Sequence, residues 1–211
     1  DFLDNSLFCG LGSDTAEVLK AIDEIIEDQE LKFNKTWDEI KLRLEEENIS
    51  LLDEKRLDAE QGAFVHQFFQ DKVRPHLFPL MLDNFTNPDT LKDATIHLAI
   101  DLKSRSDKSK RQFALIAVPT DKLSRFIILP PGDGQQYLIL LDDVIRYCLG
   151  DIFSLFGFDS YKAYTIKFTR DAEMDIDNDV SKSFLELMSE SVKKRKKGDP
   201  VRFVYDRDIP E

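Results

Sequence analysis

From Asp14 to Asn48 the chain contains neither Gly nor Pro, and Leu19, Ile22, Ile26, Phe33, Trp37, Ile40 and Leu44 recur at steps of three and four, with Gln29 in the one gap. That is the apolar stripe of a helix packed along its length. Asp14 followed by Glu17 has the form of a capping box. Unbroken, the helix would run about 50 Å at ~1.5 Å per residue, so it is expected to lean on neighbours. A second capping signal, Asp58 with Gln61, opens a helix carrying Phe64, Val65, Phe68 and Phe69. Pro75 cannot continue that helix, and Pro79 keeps residues 77–82 extended or irregular.

The period then changes. Ile96, Leu98, Ile100 and Leu102 alternate with His97, Ala99 and Asp101, which predicts a strand with one wet face. After a polar loop at 104–111, the apolar run 113–118 reads as a buried strand pairing back on the first. Shorter strands are expected at 125–129 and 137–140, separated by a turn around Pro130, Pro131, Gly132, Asp133 and Gly134. Asp142 or Asp143 is expected to cap a helix that reaches about Phe153. Tyr164, Ile166, Phe168 and Arg170 share one face of a further strand. A helix follows from residues 177–179, with Val180, Phe184, Leu187, Met188 and Val192 inward and Gly198 at its end, and a strand at 201–205 closes the chain. Strand, helix, strand suggests a right-handed crossover that makes the last pair parallel. The sum is an α+β fold: a mixed, largely antiparallel sheet with helices packed on it, preceded by a long N-terminal helix. Residues 1–57 form the helical segment and residues 58–211 the α+β domain.

Charge sharpens that division. The 211 residues hold 41 Asp and Glu against 29 Lys and Arg, a net of −12, which argues against a nucleic-acid coat or a polybasic membrane anchor. Residues 1–60 carry 18 acids and 7 bases, whereas residues 61–211 carry 23 and 22, so the excess belongs to the leading helix. No run approaches the roughly 20 apolar residues of a bilayer-spanning helix, and no leader is apparent, so a cytoplasmic protein is expected. Cys9 and Cys148 lack any C-x-x-C spacing, which suggests neither a disulfide framework nor a zinc site. The chain begins at Asp1 without Met, as expected of a piece cut from something longer.

Signatures of a P-loop, a dinucleotide fold, a hydrolase elbow and a zincin are all absent. His66, His76 and His97 do not have ligand spacing, and each reads as structural. The alternating acids Asp171, Glu173, Asp175, Asp177 and Asp179 lack the central Gly and closing Glu of a calcium loop, so a capped connection explains them better and no metal site is assigned. Lys193, Lys194, Arg195, Lys196 and Lys197 point all round a helix and complement its dipole. Arg125, Arg170 and Arg202 each fall on an expected strand and, if they converge, would hold phosphate through paired hydrogen bonds.

The strings DKLSRFIILPP at 121–131, LDDVIRYCLGDIF at 141–153, YTIKFTRDAEMD at 164–175 and PVRFVYDRDIP at 200–210 resemble the middle, or head, domain of bacterial polyphosphate kinases of the phosphohistidine type. Thr169-Arg170-Asp171-Ala172-Glu173 is the most specific of these strings, and 40–61 resembles the end of that family's helical N-terminal domain. The resemblance implies a magnesium-dependent, cytosolic transferase that moves the terminal phosphate of ATP reversibly onto polyphosphate. It also implies that the phosphohistidine, the gripping arginines and the metal ligands lie in C-terminal domains absent here. None of His66, His76 or His97 matches the catalytic histidine, so no catalytic residue is assigned and the fragment alone is expected to be inactive. The head's implied role is to form a homodimer and brace the catalytic tunnel, with the remaining domains of the polypeptide as its other partners. ATP and Mg2+ belong to the full-length enzyme. Two other readings stand beside this one: a polyanion-binding module using 193–197 with Arg125, Arg170 and Arg202, and a stand-alone cytosolic interaction domain.

Overall fold

The computed structural model describes residues 15–84, 95–105, 107, 109–132, 134–170 and 200–210. The chain divides into two units, residues 1–50 and 51–211. In the first, α1 (Thr15–Glu46) occupies the stretch free of Gly and Pro. Lys32 with Asp28 at 2.5 Å and Lys41 with Asp38 at 2.7 Å are ion pairs along its surface, where i,i+3 and i,i+4 neighbours meet. Of the expected stripe, Leu19, Ile22, Phe33 and Ile40 remain exposed. The helix stops where Asn48 takes φ 59, the left-handed conformation Asn tolerates, while its N–H donates back to Glu45 O. Asp14, half of the expected capping box, lies outside the described residues.

The second unit is built from two sheets and the helices between them. The capping box at α2 (Ala59–Phe68) forms as read: Gln61 N donates to Asp58 Oδ1 at 2.8 Å, and Asp58 N donates to Gln61 Oε1 at 3.2 Å. Ahead of Pro75 the helix widens into a π-turn at Phe69–Val73 and then tightens into a 3₁₀ turn at Arg74–His76. Pro75 lacks the N–H that would continue regular i to i−4 bonding, and its ring crowds the preceding turn. β2 (Leu80–Met81) follows Pro79.

β3 (Ile96–Lys103) and β4 (Arg111–Ala117) form the expected hairpin, with Leu98 opposite Ile116 and Ile100 opposite Ala114. With β7 (Ser160–Arg170) and β8 (Pro200–Tyr205) they make a five-stranded sheet of order β2-β4-β3-β7-β8. β5 (Phe126–Ile128) and β6 (Gln136–Leu140) pair with each other but join β1 (Ile49–Leu52) in a separate sheet of order β1-β6-β5. α3 (Leu141–Tyr147) and α4 (Leu149–Phe153) complete the unit. One core joins these pieces: Leu98, Ile100 and Ile116 from one sheet, Ile127 and Ile139 from the other, and Val65, Phe69, Val144, Ile145 and Phe153 from the helices. At roughly 25 cal/mol per Å2 of apolar surface, each such side chain contributes about 1.5–3 kcal/mol when fully buried.

Three expectations are corrected. The last pair is antiparallel, not parallel: Thr169 faces Arg202 and Arg170 faces Pro200, so the chain re-enters the sheet beside the point where it left and needs no crossover. The expected wet face of β3 is largely covered: the Phe168 ring lies on His97, Arg111 and Lys103 pair with Asp101, and both residues are buried. Neither Asp142 nor Asp143 caps α3. Leu140 is the N-cap, without a side-chain bond, and Leu141 N donates to Arg125 O. The helix expected at 177–197, the alternating acids at 171–179 and the bases at 193–197 lie outside the described residues.

Candidate functional site

Phosphate is held by cationic side chains free to turn toward it, so what each arginine already binds decides what it can do. Arg202 is exposed on β8, the edge strand, and faces Thr169; the next residue of β7 is Arg170. The backbone therefore brings Arg170 and Arg202 onto neighbouring strands of the five-stranded sheet. Arg125 belongs elsewhere, just before β5 in the other sheet. Its Nε lies 3.8 Å from Asp142 Oδ1, and its side chain keeps 43% of its surface exposed.

Among the described residues, the most heavily bonded arginine is one the sequence reading did not single out. Arg146, on α3 and only 14% exposed, donates from Nη1 to Asp143 Oδ1 at 2.6 Å and to Asp142 Oδ2 at 3.5 Å. Its Nη2 donates to Asp206 Oδ2 at 3.3 Å and to Thr165 Oγ1, and its Nε to Ala163 O at 3.4 Å. Asp206 Oδ2 also accepts the backbone N–H of Thr165 at 2.6 Å. The Asp142, Asp143 and Arg146 spacing of three and four on one helix is a sequence signal for the first two bonds. Nothing local announces Asp206 or Thr165. The fork takes Asp143 from the helix N-terminus through a short charge-assisted bond, roughly twice as strong as a neutral one, and holds Asp142 only at 3.5 Å.

Three carboxylates around Arg146 leave a local excess of negative charge that Arg125 offsets from outside. Burial, reinforced by Asp142 and Glu54 and opposed by Arg146, pushes the Asp143 carboxyl up to about 6. Among the described residues, Asp142 Oδ1 is the buried side-chain atom left without a hydrogen bond. Arg146 is thus saturated and Arg125 is not. A second cluster sits on the hairpin, where Asp101 accepts from Arg111 Nε at 2.9 Å and Nη2 at 3.1 Å and pairs with Lys103 at 2.9 Å. Burial pushes Asp101 up, but those two cations outweigh it and its carboxyl lies below the ordinary value.

His66 stands apart, whereas His76 and His97 line one cleft. His66 Nε2 lies 3.0 Å from Asp151 Oδ2, His76 is exposed in the 3₁₀ turn, and His97 is buried against the Phe168 ring at 5.4 Å. Cys148 is buried and free, its thiol pushed up to about 12 chiefly by burial and then by Asp151. It is no nucleophile at neutral pH.

Residues 60–211 match the family model described as the polyphosphate kinase middle domain. The polyphosphate kinase of Vibrio vulnificus strain YJ016 is 40% identical over 184 residues, covering 85% of this chain and 26% of that protein. That of Escherichia coli K12 is 39% identical over 208 residues, covering 95% of this chain and 28% of that protein. The crystal structure of the Porphyromonas gingivalis polyphosphate kinase superposes with a TM-score of 0.70 at 28% identity, over 92% of this chain and 27% of that one. The chain therefore spans about a quarter of the length of the relatives it matches.

Proposed function

Because the chain belongs to the polyphosphate kinase family through its middle domain, we propose that it is the non-catalytic head and dimerisation module of a cytoplasmic ATP:polyphosphate phosphotransferase. That enzyme transfers the terminal phosphate of ATP reversibly to polyphosphate through a phosphohistidine in C-terminal domains outside this chain, and residues 1–57 are the end of its N-terminal helical domain. The observation that carries this reading is the environment of the imidazoles. A phosphoryl acceptor must be reachable by the γ-phosphate and ringed by cations that spread over its equatorial oxygens. His97 opens only onto a largely apolar cleft with no arginine among its described lining residues, and burial keeps its ring neutral. His66 faces a carboxylate, and Arg146 is spent on three. ATP and Mg2+ belong with the phosphohistidine. The acids that converge here enclose a guanidinium, so none of them is assigned to the ion. No described helix is long and apolar enough to cross a membrane.

Incubated with γ-labelled ATP, the chain is expected to form no acid-labile phosphoprotein. Label on His66, His76 or His97 would overturn the reading. Arg125, Arg170 and Arg202 are assigned as peripheral polyphosphate contacts, since Arg125 is loosely held and Arg202 exposed. In the full-length enzyme Arg125→Glu and Arg202→Glu should each weaken polyphosphate binding several-fold, more so at low salt. The dimer is favoured by β5, an edge strand whose Ile128 is 70% exposed beside a half-exposed Phe126. Light scattering should give a dimer that Ile128→Asp dissociates; a wild-type monomer at high concentration would remove the dimerisation role from this chain.

A further inference from the structure

The five-stranded sheet has a second face, away from the shared core. Register places His97 beside Ala117 and Ile166, and Ala99 beside Leu115, with Leu80 of β2 alongside Leu115. The segment after α2 and the turn after β4 close around one end of that face and leave a cleft of about 480 Å3. That is within the range of small-molecule sites, roughly 300–1,000 Å3. Phe78, Leu80, Leu115, Ala117, Val118 and Pro119 make it largely apolar.

Its polar groups are few and distinct. His97 Nδ1 lies 3.0 Å from Thr95 O, a pure acceptor, so Nδ1 carries the proton. Burial keeps the ring neutral, and stacking on Phe168 fixes it. Nε2 is then a hydrogen-bond acceptor, and among the described residues none donates to it. Around the same cleft are Phe78, a ring 82% exposed, the exposed His76, and the exposed Lys122, which offers positive charge. Asp121 sits beside Lys122 at 3.9 Å. The cleft thus offers an apolar slot with a fixed acceptor in its wall and a lysine at its edge. An inorganic phosphate chain has no apolar surface to fill the slot, so this is not a continuation of the arginine sites.

We propose that this cleft binds a small aromatic or heteroaromatic amine that carries an anionic group, the amine donating to His97 Nε2, the ring lying among Phe78, Leu115 and Ala117, and the anion meeting Lys122. The site is independent of the head-domain reading. The probe is 4-aminobenzoate, titrated into the isotopically labelled 211-residue chain by NMR, with benzoate and aniline as partners lacking the donor and the anion. An affinity of about 1 mM is what so small a ligand can reach. Saturable shifts at Thr95, His97, Leu115 and Thr120 are expected for 4-aminobenzoate, with each partner probe binding at least several-fold more weakly. Lys122→Glu should weaken 4-aminobenzoate about tenfold, the scale of one charge-assisted bond, while leaving aniline unchanged. Ala117→Leu, which fills the slot, should abolish binding of all three; the surface Lys122 variant carries the test should Ala117→Leu not fold. Absence of saturable shifts at about 10 mM probe, equal binding of the three, or shifts elsewhere on the protein would overturn the proposal.

Discussion

Arg146→Met is expected to lower the stability of the second unit by about 3–5 kcal/mol at pH 7, the range found when one partner of a buried ionic cluster is removed. The reason is what remains. Asp142 and Asp143 are buried, and without the guanidinium each must stay charged in a poor solvent, take up a proton, or pull the helix open to water. Thr165 and Ala163 O would lose a donor as well, and Asp206 its bond to α3. Chemical denaturation reads the effect as a lower midpoint. Arg146→Lys keeps the charge but not the fork that reaches three carboxylates, so it should recover only some of the loss. The deficit should shrink toward pH 5, where Asp143 can carry a proton. A midpoint unchanged by Arg146→Met would mean that the cluster is solvated and contributes nothing net.

The pH profile of the wild-type chain is the second large effect. The Asp143 carboxyl is raised from 3.8 to about 6, so the folded state binds its proton more tightly than the unfolded state. Its stabilising contribution is full below pH 4 and is lost as pH rises through 6. At 1.36 kcal/mol per unit, that amounts to about 3 kcal/mol. Asp101 acts in the opposite sense: its carboxyl lies below the ordinary value, so its contribution is present at neutral pH and lost in acid. The two together place their combined maximum at about pH 4, between the loss of the Asp101 contribution in acid and the loss of the Asp143 contribution toward neutrality. Asp143→Asn keeps the shape and an acceptor for Arg146 while removing the charge, and should flatten the fall between pH 5 and 7. Parallel curves for wild type and variant over that window would show that Asp143 does not titrate there.

Local patterns carried well into the structure, and long-range pairings did not. The helix ending at Asn48, the reciprocal bonds of Asp58 and Gln61, and the Leu98–Ile116 hairpin all follow from neighbours within about twenty residues. The assignment of β5 and β6 to a second sheet depends on β1, some ninety residues away, and their alternation would suit either sheet. The polar positions of β3 looked wet because alternation reports residue type, not cover; His97 and Asp101 are buried because Thr95, Phe168, Arg111 and Lys103 satisfy them. At the candidate site, Arg125, Arg170 and Arg202 were legible as cations on or beside strands. Arg146 was not, because three of its five partners lie 17–60 residues downstream. The aspartates at the start of α3 had two good local uses, and which one prevails is decided by those distant groups.

Asp206, just past the end of β8, is gripped both by Arg146 of α3 and by the backbone of Thr165 on the neighbouring strand. In mechanical terms this is a clamp placed ahead of a zipper. A pull on the chain beyond Asp206 meets a charged fork anchored in a buried helix before it reaches the β7–β8 ladder, whose hydrogen bonds, loaded at one end, would otherwise break in succession. Force arriving from the C-terminal side must therefore break the Arg146 and Thr165 bonds of Asp206 before it loads that ladder.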